Sequence, residues 1–233
     1  MKKILMLCFI LNLALGADLQ RALGLYENNH FTKAYAMFEA LCQKNSPKAC
    51  FSLGVMHEKA QGVGQDAQKA RHFYGRACRL GLKKACSNLA LSFEEEGRKN
   101  EANLAFNEAC KLGDFQSCNT LAAFYEGERD GELVLYFYQK SCKLKDPRAC
   151  YKLGLLYERG EWVRANPKKA LASYSNSCNL GLGEACYKLG RYEELEKKDL
   201  QRAKRYFGMA CDKKHQEACA AYKNLNDRGI EIH

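Results

Sequence analysis

Cys142-Lys143-Leu144-Lys145-Asp146-Pro147-Arg148-Ala149-Cys150-Tyr151-Lys152-Leu153-Gly154 is the stretch from which the fold can be read. Two cysteines enclose seven residues, a proline stands three residues before the second, and a Leu-Gly pair follows it. The same C-x7-C spacing occurs at Cys42/Cys50, Cys78/Cys86, Cys110/Cys118, Cys178/Cys186 and Cys211/Cys219. Successive first cysteines lie 36, 32, 32, 36 and 33 residues apart. A recurrent period in this range marks a repeat array.

The flanks repeat too. Leu53-Gly54, Leu89-Ala90, Leu121-Ala122, Leu153-Gly154 and Leu189-Gly190 follow the second cysteine. Ahead of the first come Ala70/Tyr74/Ala77, Ala102/Phe106/Ala109, Ala170/Tyr174/Ser177 and Ala203/Phe207/Ala210, at spacings of three and four that put each trio on one helix face. Each unit therefore reads as helix A, a turn, helix B and a tight loop to the next helix A. Gly62-Val63-Gly64 and residues 160–167 break the chain between A and B in the longer units; residues 97–100 and 127–131 do so in the shorter ones. Gly81, Gly113 and Gly181 suit the end of helix B, and Pro47 and Pro147 the first turn of the next helix A. A lone hairpin of this size cannot bury both faces, whereas stacked hairpins can. The expectation is an all-α chain, an α/α superhelix (solenoid) over 18–228. Its units fall near 18–45, 46–81, 82–113, 114–145, 146–181 and 182–214, with a capping helix over 216–228 and a tail over 229–233.

Two chemistries compete for the C-x7-C pairs. Zinc sites favour two to four residues between paired cysteines and need four ligands per ion. In the helical reading one cysteine ends helix B and its partner begins helix A across a reversal, which brings the sulfurs together and favours a disulfide within each pair, a staple outside the stacked core. No metal and no cofactor is expected.

The amino terminus carries Lys2 and Lys3, the apolar run from Ile4 to Leu15, and small residues at Ala14, Gly16 and Ala17. This reads as a secretory signal over 1–17, removed after Gly16 or Ala17, with an apolar run too short to span a bilayer. Its loss would leave twelve of thirteen cysteines and lower the net charge from +10 to +8. An even cysteine count and an exported chain agree with a secreted or periplasmic protein. Basic and acidic residues alternate throughout, so nucleic acid is not an expected partner, and no membrane span remains after cleavage.

Ala49-Cys50-Phe51-Ser52-Leu53-Gly54 through Gly62-Val63, Asp66, Lys69-Ala70, Tyr74 and Ala77 resembles a Sel-one-like repeat. So does Ala149 to Tyr157 through Lys169-Ala170, Tyr174 and Gly181. With a C-x7-C in every unit and the export signal, residues 18–225 are similar to the Helicobacter cysteine-rich proteins. That resemblance implies a superhelix related to tetratricopeptide arrays, one disulfide per repeat, and either of two activities: a protein- or peptide-binding scaffold, or a penicillin-binding protein with weak β-lactamase activity.

A serine β-lactamase needs S-x-x-K with S-D-N and K-T-G, and none of these motifs is present. The five histidines are scattered, with His57 where other repeats place a core aromatic. No catalytic residue is assigned. An aromatic or histidine followed by glutamate recurs near the end of helix A: Tyr26-Glu27, His57-Glu58, Phe93-Glu94, Tyr125-Glu126, Tyr157-Glu158 and Tyr192-Glu193. A feature of every repeat is expected to serve the repeat. Ligand contacts are expected instead at positions that vary around Leu-Gly on the concave helix A face: Phe51, Ser52, Asn88, Asn119, Tyr151, Lys152, Tyr187, Lys188 and Arg191. That mixture suits peptide or protein segments of host or cell-envelope proteins, with peptidoglycan fragments or β-lactams as the alternative. Trp162, the single tryptophan, lies in a long A–B loop, where it could anchor a partner or pack on its own loop.

Overall fold

A computed structural model describes residues 16–232 and contains thirteen α-helices and no strand among them. The signal segment, apart from Gly16 and Ala17, lies outside the described residues. Helix α1 covers 16–27. It is followed by α2 (Phe31–Gln43), α3 (Pro47–Glu58), α4 (Ala67–Arg79), α5 (Lys83–Glu95), α6 (Lys99–Lys111), α7 (Phe115–Gly127), α8 (Gly131–Lys143), α9 (Pro147–Arg159), α10 (Pro167–Asn179), α11 (Gly183–Tyr192), α12 (Leu200–Asp212) and α13 (Gln216–Asp227). Odd-numbered helices are the A helices and even-numbered ones the B helices. The chain forms two compact units, α1–α6 up to Asp114 and α7–α13 from Phe115. Each unit is a stack of helical hairpins.

One turn geometry recurs between every B helix and the next A helix. The third residue after the first cysteine is left-handed in all six turns: Asn45 (φ 61°), Gly81 (88°), Gly113 (89°), Lys145 (69°), Gly181 (93°) and Lys214 (65°). The next N–H then donates back to the carbonyl just before the first cysteine, as in Ser46 to Leu41 (3.0 Å), Asp146 to Ser141 (3.2 Å) and His215 to Ala210 (3.1 Å). This closure satisfies carbonyls that the helix end would otherwise leave bare. A left-handed lysine costs about 1–2 kcal/mol relative to right-handed backbone, and glycine gives back part of the gain through its freer unfolded chain. Lys214→Gly should therefore raise stability by up to about 1 kcal/mol, read as a higher melting temperature; an unchanged or lower one would contradict this account of the turn.

The turn brings the cysteines together. Cys42–Cys50, Cys78–Cys86, Cys142–Cys150, Cys178–Cys186 and Cys211–Cys219 are disulfides with Cα–Cα distances of 4.6–4.7 Å, and Cys110 and Cys118 are disulfide-bonded as well. The staples do not lie outside the core as the sequence suggested: eight of the twelve cysteines are buried. The second cysteine is the fourth residue of helix A.

Small residues let the helices approach. Alanines 34, 49, 77, 85, 90, 102, 109, 122, 185, 203, 210 and 218 are fully buried, and every B helix buries an aromatic at the same position: Phe38, Tyr74, Phe106, Tyr138, Tyr174 and Phe207. In three hairpins that ring lies flat on a glycine of helix A. A Cβ at Gly54, Gly154 or Gly190 would sit 2.6, 2.3 or 2.6 Å from Tyr74, Tyr174 or Phe207. The 33-residue spacing also finds its cause. Beyond α11, Glu193–Lys197 forms a π-helical turn that absorbs one extra residue before the N-cap Asp199, whose carboxylate accepts from the Arg202 N–H.

Candidate functional site

In α9, Lys152, Leu155, Leu156 and Arg159 share one face by their spacing of three and four. Gly160 ends the helix in the left-handed conformation (φ 70°) and starts the long loop that carries Trp162. These side chains, with Glu126 of α7 and Glu161 of the loop, line a cavity of about 280 Å3 in the second unit. Trp162 is itself left-handed (φ 63°), and its ring rests on Gly131, the first residue of α8, where a Cβ would lie 2.7 Å from the Trp162 Cβ. Trp162 as a whole is 38% exposed.

The first unit shows how this site is made. One hundred residues earlier the sizes are exchanged: Phe31 stands where Gly131 does and Gly62 where Trp162 does, and a Cβ at Gly62 would be 2.5 Å from the Phe31 Cβ. There the large residue belongs to the helix and the loop is bare. Gln61 accepts from the Tyr26 hydroxyl at 2.5 Å, and Tyr26 packs edge-on against Phe31 with centroids 5.5 Å apart. In the second unit the large residue sits in the loop, beside two cations of α9.

The other residues expected on this face divide into three groups. Aromatics just after the second cysteine pack on the B-helix ring of their own hairpin: Phe51 on Tyr74, Tyr151 on Tyr174 and Tyr187 on Phe207, at 5.4, 5.5 and 5.7 Å between centroids. The same position contacts the following turn. Ser87 donates to Asp114 at 2.9 Å, the Asn119 amide to Asp146 at 2.7 Å, and Tyr187 stacks on His215 at 4.5 Å. Buried Asp146 also accepts from the Ser141 hydroxyl and from the Arg148 and Ala149 N–H groups. A third group makes local contacts: Ser52 donates to the Lys48 carbonyl and Arg191 pairs with Glu194 at 2.8 Å, while Asn88 is half-buried in α5. Lys188 reaches Glu158 at 3.0 Å and lies 6.0 Å from the Tyr174 ring centre. Of the nine, Lys152 alone lines the Trp162 cavity. Arg159 and Leu156 were not singled out from sequence, although the spacing 152/156/159 was there to be read, and Glu126 was read only as the recurrent glutamate of its repeat.

The recurrent glutamate serves its own hairpin in three repeats. Tyr74 donates to Glu58 at 3.0 Å, Tyr138 to Glu126 at 3.1 Å and Tyr174 to Glu158 at 2.7 Å. Burial, and after it the partner glutamate, pushes the Tyr138 and Tyr174 hydroxyls well above the usual tyrosine range, so they stay protonated donors. Burial also acts to raise Glu158, but the Tyr174 hydroxyl and Lys188 outweigh it and hold the carboxyl below its usual value. The preceding ring packs between helices: His57 is buried, stacked on Phe73 at 5.7 Å, with its Nε2 3.3 Å from the Tyr35 hydroxyl. Among the described residues, no three His, Cys, Asp or Glu side chains form a group able to hold a metal, and no helix is long and apolar enough to cross a membrane.

Stacked helical hairpins with one disulfide each and no strand among the described residues define a helical repeat scaffold closed by oxidised cysteines. The Sel1 repeat matches residues 47–82, 117–146, 147–182 and 183–215, more than half of the chain, and the chain belongs to the Sel1 repeat family, as a cysteine-rich member. Between the matched segments, 83–116 carries the same hairpin as α5–α6. The fold is similar to that of a Sel1 repeat protein from Oxalobacter formigenes (TM-score 0.66, 23% identity, 83% of this chain and 84% of that one). It is also similar to a protective antigen of uropathogenic Escherichia coli with an SLR fold (0.72, 21%, 93% of this chain and 50% of that one). Helicobacter pylori cysteine rich protein B is 30% identical over 52% of this chain and 93% of its own, with a TM-score of 0.41. A 35-residue match, 54% identical, covers 15% of this chain and 65% of an uncharacterized Haemophilus influenzae protein, so the chain spans just under two thirds of that relative. The six disulfides indicate an oxidising, extracytoplasmic environment.

Proposed function

We propose that the chain is an exported scaffold that holds an extended peptide segment of an envelope or host protein on the helix A face of α9. The exposed indole of Trp162 over the cavity beside Lys152 and Arg159 is the observation that carries this reading. An aromatic that is packed in part and exposed in part is the residue type that concentrates binding energy at interfaces. The cations flank it as steering and orienting groups, and Leu155 and Leu156 supply an apolar floor. Sel1 and tetratricopeptide-like repeats generally mediate protein interactions, which agrees with this use of the face. Export is supported by the basic and apolar start of the chain, followed by small residues, and by the disulfides. No serine, threonine or cysteine lines the cavity, so the β-lactam reading has no nucleophile at this site. An array of envelope-protein peptides probed with the oxidised protein tests the proposal. Trp162→Ala should lower affinity for captured peptides by about 2 kcal/mol or more, and Lys152→Glu should lower it for acidic ones. Equal capture by both variants would overturn the site.

A further inference from the structure

The disulfide edge of the second unit holds another recess, separate from the Trp162 cavity. Cys142, Lys143, Lys145 and Cys150 of the α8–α9 turn line it on one side, and Asn176, Asn179 and Leu180 at the end of α10 on the other. It encloses about 430 Å3, within the range of ligand clefts, about 300–1,000 Å3. Lys143, Lys145, Asn176 and Asn179 are all exposed, and their side chains make no hydrogen bond or ion pair with another described residue. The turn's own acid, Asp146, is buried with its oxygens already engaged by Asn119, Ser141 and the Arg148 and Ala149 N–H groups. Neither lysine is neutralised from within the recess.

The corresponding place in the first unit is bridged. One hundred residues earlier stand Gln43, Asn45, Arg76 and Arg79. The Arg76 guanidinium reaches across, 3.4 Å from the Gln43 carbonyl and 3.3 Å from the Asn45 Oδ1. In the second unit the arginine has become Asn176, too short to cross, and the acceptor has become Lys145, which cannot accept. Both changes remove the same bridge, and they leave a notch with two ammonium groups and two carboxamides.

We propose that this notch binds an acidic peptide segment. The lysines match side-chain carboxylates. The carboxamides of Asn176 and Asn179 each present a donor and an acceptor, the complement of a peptide group. Leu180 offers the aliphatic stems an apolar contact.

The test is isothermal titration of the oxidised full chain carrying Trp162→Ala/Lys152→Glu, which disables the α9 face, at low ionic strength with hexaglutamate, and with hexaglutamine as the neutral counterpart. Hexaglutamate should bind at one site, and hexaglutamine at least tenfold more weakly, by about 1.4 kcal/mol. The double variant Lys145→Asn/Asn176→Arg restores the bridged arrangement of the first unit without changing net charge; it should lose at least about tenfold in affinity, as should Lys143→Glu/Lys145→Glu. Lys83→Glu/Lys84→Glu, on the same edge of the first unit, should bind as this parent does. Circular dichroism and a count of free thiols show that each variant is folded and oxidised. Three results would overturn the proposal: no binding of hexaglutamate by the folded parent, binding that survives the charge-neutral double variant, or equal loss in Lys83→Glu/Lys84→Glu. Displacement of hexaglutamate by millimolar inorganic phosphate alone would also overturn it, since the site would then recognise an anion and not a peptide.

Discussion

Full reduction of the six disulfides is expected to unfold the chain or open it to proteases. Each bridge joins residues 8 apart, and closing so short a loop is worth about 2.5 kcal/mol in the chain-entropy account. Six such terms sum to about 15 kcal/mol, the upper end of the net stability of a domain, about 5–15 kcal/mol. The core offers little in reserve, because so many of its buried positions are alanine. Burial sets the order of events. Cys211 and Cys219 are both partly exposed, so this bridge should be reduced first. Cys42–Cys50 and Cys178–Cys186, buried at both ends, should wait for local opening. Timed alkylation with peptide mass mapping follows the order, and limited proteolysis follows the outcome. Undiminished protease resistance with all twelve thiols alkylated would show that the stacked core suffices without its staples.

Gly154→Ala is expected to destabilise the second unit by about 1–3 kcal/mol, the usual cost of overpacking a tight core. On an exposed helix the same change would be favourable by up to about 1 kcal/mol, so the sign itself is diagnostic. The added methyl would fall 2.3–2.9 Å from three ring carbons of Tyr174. That ring cannot step aside cheaply: it is 3% exposed, its hydroxyl is tied to Glu158, and Tyr151 packs on it. Trimming the ring in Gly154→Ala/Tyr174→Leu should recover part of the loss, because the two sites share one contact. Thermal unfolding of the four proteins completes the cycle; an unchanged melting temperature for Gly154→Ala would mean that the ring moves freely.

The same residues show what a sequence of this kind discloses. All twelve paired cysteines, the A and B helices and the Pro47 and Pro147 starts followed from periodicity and turn chemistry, because both act over a few residues. The glycine after Leu53, Leu153 and Leu189 was visible as a pattern, but its reason, a ring from the next helix, depends on interhelical distance. The contacts Ser87–Asp114, Asn119–Asp146 and Tyr187–His215 join residues 27 or 28 apart; they depend on how one hairpin seats on the next, which no local spacing states. The exchange of Phe31/Gly62 for Gly131/Trp162 was hidden for another reason: each residue alone is ordinary in a helix start or a loop, and only the contact shows that the pair must be read together. The π turn at Glu193–Lys197 likewise leaves no mark except the odd period.

Trp162, proposed to sit in the peptide-binding site, allows a direct test of that role. It is the chain's sole tryptophan, so intrinsic fluorescence excited at the red edge reports on this cavity alone. Titrating the oxidised protein with a captured peptide should shift and saturate that emission, and Lys152→Glu should displace the curve for acidic peptides. Saturable binding seen by calorimetry with no change in Trp162 emission would contradict the claim and place the peptide elsewhere.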